Sequence, residues 1–266
     1  NKGMKSDMID ESDAELLKNG FNLNDKFDYS IEVGKLSIKT EKEAHNLEKD
    51  IGEYVILNSP KVHLLGADCK AYTKNLLVKN LKNFIVPKGK ILVVGLGNPA
   101  LTADSLGSRV ISHLYVTGGL KGFKRGLLDV CAFSPDVYSN TGIQTQEFIE
   151  AICNKISPNL VIIIDSLGTY NETRLASSFQ ISTAGITAGG ALYEGNKPIS
   201  KQTLGVECVV IGVPLMLVSK NPKTPLTDVL CPKNIDEHVK TCAKLIGDSL
   251  NEIFHRKNKL VHNIYE

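Results

Sequence analysis

The sequence predicts an α/β fold with a mainly parallel central sheet and helices on both faces. Two observations carry this expectation. Strand candidates such as Lys90-Ile-Leu-Val-Val-Gly and Asn159 to Ile164 are apolar on both sides. They alternate with helical segments of ~12 residues, as buried parallel strands and their crossover helices do. A length of 266 residues with 42% hydrophobic content is enough for one full-sized core.

Taken in order, the first thirty residues carry little pattern. Residues 6–17 are acidic and could hold a short capped helix, while Asn19-Gly-Phe-Asn is loop chemistry. Apolar and polar residues alternate from Tyr29 to Lys39, a strand or a hairpin turning at Gly34. Thr40 followed by Glu43 reads as a capping box, and Tyr54-Val-Ile-Leu as a short strand. Leu76, Leu77, Leu81 and Phe84 have helical spacing within Lys70 to Ile85. The regular alternation follows: strand Lys90–Gly95, helix Asp104–Val116, strand Leu127–Phe133, helix Thr145–Ile156 and strand Asn159–Ile164. Further strands are expected at Phe179–Ser182 and Val206–Val213, and a last helix at Ile235–His255 behind Pro232 and Asn234. Residues 1–30 are set apart as an N-terminal segment, and 31–266 form a single domain.

Composition excludes several classes. The net charge of +2 makes no case for nucleic-acid or membrane binding by bulk charge. The longest apolar run, Leu160 to Ile164, is far short of the ~20 residues that span a bilayer. Six cysteines stand singly, without the paired spacing of a zinc ribbon or the density of a disulfide scaffold, so reduced thiols are expected. The six histidines have no metal-ligand spacing, and no G-x-S-x-G nucleophile motif exists.

Three segments could carry chemistry. Val94-Gly-Leu-Gly-Asn-Pro follows the first buried strand, where Gly95 and Gly97 let the backbone turn tightly. Position 100 is alanine, so a dinucleotide fingerprint is incomplete and a plain turn explains the glycines equally well. Asp104 stands at a predicted helix start, where a plain N-cap is the simplest role; Arg109 could be a surface charge. Asp165 ends an all-apolar strand at the carboxyl edge of the sheet, where open α/β folds place their sites. Together Asp104 and Asp165 can face one crevice. Two close carboxylates do not both ionise easily, so one keeps a proton. An acid and a base in one place suit water-driven amide hydrolysis.

Nine segments in this order resemble the germination proteases of spore-forming bacteria, a family of atypical aspartic endopeptidases. They include Val93-Val-Gly-Leu-Gly-Asn, Leu101-Thr-Ala-Asp-Ser-Leu-Gly, Phe133-Ser-Pro, Ile164-Asp-Ser-Leu, Gln180-Ile-Ser and Ile211-Gly-Val-Pro. The resemblance runs from about Asp28 to the C-terminal helix. It implies that Asp104 and Asp165 are the two essential aspartates, and a phosphorylase/hydrolase-like fold similar to the hydrogenase-maturation endopeptidases. It implies a homotetramer, a propeptide removed by self-cleavage, small acid-soluble spore proteins as substrates and the spore cytoplasm as compartment. No cofactor and no metal would be expected. Gly95, Gly97, Asn98 and Arg174 are candidates to bind and position substrate, Arg174 keeping a basic position of the family pattern. The chain departs from that pattern at Thr187, in place of a histidine, and at Tyr170, in place of a basic residue. Two alternatives therefore stand beside the endopeptidase reading: a divergent or inactive paralogue that binds protein, and a nickel-dependent maturation endopeptidase.

Overall fold

A computed structural model describes residue 8 and residues 29–120, 128–187, 197–218 and 229–255. The helix expected within residues 6–17 lies, residue 8 apart, outside the described residues. An eight-stranded mixed sheet forms the centre. Strands β1 (Glu32–Ile38), β2 (Gly52–Asn58), β3 (Lys90–Gly95), β4 (Asp129–Phe133), β5 (Leu160–Thr169), β6 (Ser178–Ser182) and β7 (Glu207–Val218) lie in the order β1-β2-β6-β7-β5-β3-β4. The short β8 (Val229–Leu230) pairs with β7.

The half that holds β7, β5, β3 and β4 is parallel, as expected for strands apolar on both sides. Beyond β7 the strands run antiparallel through β6, β2 and β1. The alternation at residues 29–39 forms one continuous strand rather than a hairpin, because Gly34 pairs with Ile56 in mid-register. Two central strands are longer than expected. β5 continues past Ile164 to Thr169 because β7 runs beside it in parallel as far as Leu217, with a register shift after Leu167.

The two faces of the sheet follow the two-residue period of the strands. Ile91, Val93, Ile162 and Ile164 face one side, where they meet α2 (Ala67–Leu81), α3 (Leu106–His113) and α7 (Ile235–His255). Leu92, Val94, Val161 and Ile163 face the other, covered by Ile149 and Cys153 of α5 (Thr145–Ile156). Leu36, Ile38, Tyr54 and Ile56 continue that layer under Ala44 and Leu47 of α1 (Glu41–Leu47). The Thr40 capping box is formed, with Glu43 accepting from the Thr40 backbone N–H. Short helices α4 (Tyr138–Thr141) and α6 (Lys201–Leu204) complete the set.

On the α7 side, the His63 ring stacks on His238 with centroids 4.1 Å apart, and its Nε2 meets the Ala176 carbonyl. Burial disfavours the charged ring and brings the His63 pKa down to about 4. A depressed histidine stabilises the fold fully above its unfolded pKa of ~6.5, and that stability is lost as pH falls towards 4. Partial exposure screens the effect, leaving about 2 kcal/mol. Denaturant melts at pH 7 and pH 4.5 should therefore show a larger acid loss in the parent than in His63→Gln; equal losses would assign the effect elsewhere.

Candidate active site

The carboxyl edge of the parallel half is built around the end of β3. Gly95 is the last residue of β3 and pairs with Ile164. Asp165 is the next residue on β5, so it is paired only on its other side, with Gly212 of β7. Although the strand does not stop there, its β3 neighbour does, and that opens the space in front of Asp165. The Leu96 N–H donates to the Ile164 carbonyl (2.8 Å), and the chain then leaves the sheet.

The turn that follows brings Asp104 back to this edge. Gly97 has φ of +100°, a left-handed conformation that glycine adopts without strain. A Cβ on Gly97 would overlap the Asp104 carbonyl oxygen and stand 2.8 Å from Asp104 Oδ1, so the carboxyl is packed directly on the bare glycine. The Asn98 N–H donates to Asp104 Oδ2 at 2.8 Å, and the Asn98 Oδ1 accepts from the Ala100 N–H at 2.9 Å. Asp104 closes a 3-10 turn, Thr102–Asp104, and its own N–H donates to the Leu101 carbonyl. It is therefore not the N-cap that its sequence position suggested. Helix α3 begins two residues later, at Leu106. The intervening 3-10 turn directs the Asp104 side chain onto the Gly97–Asn98 loop.

Each aspartate keeps part of its surface open while sitting deep among protein atoms. Desolvation raises the Asp104 pKa to about 6, against the Asn98 hydrogen bond, which favours the anion. Asp165 is raised well above the ordinary carboxylate range, first by desolvation and then by the charge of Asp104. The order has a physical reason. Asp104 loses its proton while Asp165 is still neutral, and Asp165 must then ionise against a negative neighbour. Asp165 therefore holds its proton more tightly than Asp104 does.

Sequence reasoning missed a third carboxylate. Asp136 lies in the loop after β4, half-buried, and its charge also acts on Asp104. Its place three residues beyond β4 marks it only once β4 is seen to pair with β3. Other predicted residues have different placements. Gly95 lies against helix α3, where a Cβ would overlap the Gly107 carbonyl, and the Gly95 carbonyl accepts from Ser134 Oγ at 2.7 Å. The polar groups of Asn98 described above serve the Asp104 loop. Arg174 is 7% exposed in the 3-10 turn Glu172–Arg174 that follows β5. Arg109 pairs with Asp236 at the start of α7 (2.7 Å), tying α3 to α7 rather than serving the pair. Tyr170 is exposed just past β5, and Thr187 is exposed beyond the Ile186–Ile199 bridge.

The germination protease family model matches residues 2–221, a span that contains both aspartates and Asp136. The chain belongs to the germination protease family. It is 31% identical over 221 residues to the germination protease of Clostridium tetani, covering 80% of this chain and 67% of that one. The germination protease of Clostridium acetobutylicum is 32% identical over 226 residues, covering 81% and 69%. That of Priestia megaterium is 30% identical over 208 residues, covering 74% and 56%. The chain thus spans about two thirds or less of the length of these relatives. Among solved structures it is similar to the NiFe hydrogenase maturation protease HycI from Thermococcus kodakarensis, at 21% identity and a TM-score of 0.38, covering 65% of this chain and 99% of that one.

Membership of the germination protease family places the chain among the peptidases, which hydrolyse peptide bonds. The family match ends short of Pro232–Asp236 and α7, which complete the layer against α2 and α3. Among the described residues, no group of three His, Cys, Asp or Glu side chains could hold a metal ion. No described helix is long and apolar enough to cross a membrane.

Proposed function

We propose that the chain is an endopeptidase in which Asp104 and Asp165 together activate a water molecule, with small acid-soluble spore proteins as its substrates. One observation carries this reading: two deeply set aspartates share one sheet edge, both raised by burial, with the charge of Asp104 raising Asp165 further. Ionised Asp104 accepts a proton from water as its oxygen bonds to the scissile carbonyl carbon. Protonated Asp165 donates to the carbonyl oxygen, which becomes the hydroxyl of the tetrahedral intermediate. When the C–N bond breaks, the proton held by Asp104 passes to the leaving amine, and the hydroxyl proton returns to Asp165. The Gly97–Asn98 turn supports the base through the Asn98 N–H and leaves no side chain at Gly97 to crowd it. The same reading takes residues 1–30 as a segment removed on activation, a homotetramer as the working form and the spore core as the compartment.

The testing experiment incubates the purified protein with a small acid-soluble spore protein between pH ~5 and 8, beside Asp104→Asn and Asp165→Asn. Discrete fragments from the parent and a loss of about 1,000-fold or more in each variant are expected. In the parent, cleavage should rise through about pH 6 as Asp104 ionises, and fall at higher pH where Asp165 loses its proton. Unchanged cleavage in either variant would remove that residue from the mechanism. No cleavage by the parent in any form tried would favour a binding relative of the family.

A further inference from the structure

Beyond the two aspartates, the loop after β4 is tied unusually closely to the site. β4 is the parallel neighbour of β3, with Val94 opposite Phe133, so the chain after Phe133 emerges beside the Leu96–Asn98 turn. Ser134 Oγ then hydrogen-bonds the Gly95 carbonyl at 2.7 Å, anchoring the loop to the end of β3. Two residues on, Asp136 adopts φ of +67°, a left-handed conformation that an L-residue other than glycine, asparagine or aspartate enters only with strain. Its carboxylate is held in place from its own side. Oδ1 accepts from the Val137 N–H at 2.8 Å and from Asn140 Nδ2 at 3.0 Å, the latter from α4. The Asp136 side chain is thus held by its own loop, two residues from the anchor on Gly95 at the carboxyl edge.

We infer that Asp136 is a positioning residue for the aspartate pair: its fixed negative charge sets how acidic the medium can be before the pair stops working. The inference rests on the two-aspartate reading for its link to activity, though not for its link to Asp104. A third negative charge at the rim favours the protonated form of Asp104 and so narrows the working range from the acid side. Among the described residues, the groups that act on Asp104 are the Asn98 N–H, which favours the anion, and Asp136, which opposes it. Asp165 adds a further charge only once it ionises. Arg109, the nearest cation along the chain, is engaged with Asp236.

The test uses Asp136→Asn, which removes the charge but tolerates the left-handed backbone and retains a carbonyl for Val137 and Asn140. Asp136→Gly removes the side chain altogether in a conformation that glycine adopts freely. In both, the acid midpoint of kcat/KM should move to lower pH, raising activity at pH 5 relative to pH 7 by about threefold, the equivalent of half a pH unit. A role limited to holding the loop would lower activity at every pH and leave the midpoint in place. Carbon-13 NMR of the Asp104 carboxyl supplies a readout that does not depend on cleavage. A lower Asp104 midpoint in Asp136→Asn supports the inference even if no substrate is cut, in which case the endopeptidase reading fails alone. An Asp104 midpoint that matches the parent in both variants overturns it.

Discussion

Asp104→Asn should unfold at a higher temperature than the parent at pH 7, with most of the gain gone by pH 3. The sign follows from the raised pKa of about 6. Between the unfolded value near 3.8 and 6, the folded chain holds a proton that the unfolded chain has released. Stability therefore falls as pH rises through that window and stays lower above it. A shift of about two pH units corresponds to ~3 kcal/mol, or roughly 6–12 °C in a domain of this size. Asparagine keeps an oxygen for the Asn98 N–H and carries no charge to desolvate. Asp165→Asn should shift stability in the same direction, since burial is the leading cause there as well. Calorimetry at pH 3 and pH 7 checks this. A parent more stable than Asp104→Asn at pH 7 would mean that the site does not destabilise the fold. Together with the expected loss of cleavage, the result would identify a site that sacrifices stability for function.

The second large effect lies at the contact between β3 and α3. In Gly95→Ala the new methyl would overlap the Gly107 carbonyl and meet Ile111 Cγ1 at 2.9 Å. A methyl on Gly107 would likewise overlap the Leu96 carbonyl, so here one backbone rests directly on another. Neither partner is the flexible end of a side chain, so the helix itself must move. Gly95→Ala is expected to lose about 3 kcal/mol of stability. A shift of α3 would also carry the preceding Asp104 with it, and a displacement of about 1 Å at a catalytic group can cost ~100-fold in rate. Gly119→Ala is the control. Among the described residues no atom lies within 4 Å of its added Cβ, and its φ is not in the left-handed region, so it should stay within about 0.5 kcal/mol of the parent. Denaturant titration and the cleavage assay on both variants decide the point. A Gly95→Ala protein that melts like Gly119→Ala would show that the contact yields easily.

What was legible from residues alone is clearest in the parallel half. Uninterrupted runs such as Ile91–Val94 and Leu160–Ile164 require apolar surroundings on both faces, so they predict buried parallel strands flanked by helices. Helices α5 and α7 occur with the expected bounds, because their apolar residues recur at a period that only a helix can place on one side. The two aspartates could also be picked out, since each follows or interrupts an apolar pattern at the sheet's carboxyl edge.

The remainder depended on contacts distant in sequence. Whether β6 runs parallel or antiparallel to β7 is decided by strand pairing, to which the local pattern of Ser178–Ser182 is indifferent. The N-cap reading of Asp104 was locally sound, but the Asn98 N–H and the bare face of Gly97 draw the side chain away from the helix. Asp136 follows no strand directly, and nothing in Phe133-Ser-Pro-Asp shows that β4 will lie beside β3. Residue order therefore determined the layers and the two acids, because hydrophobic periodicity acts over a few residues. The tertiary structure decided which acids act on one another and which of them keeps the proton, because desolvation and charge depend on neighbours that only folding brings together.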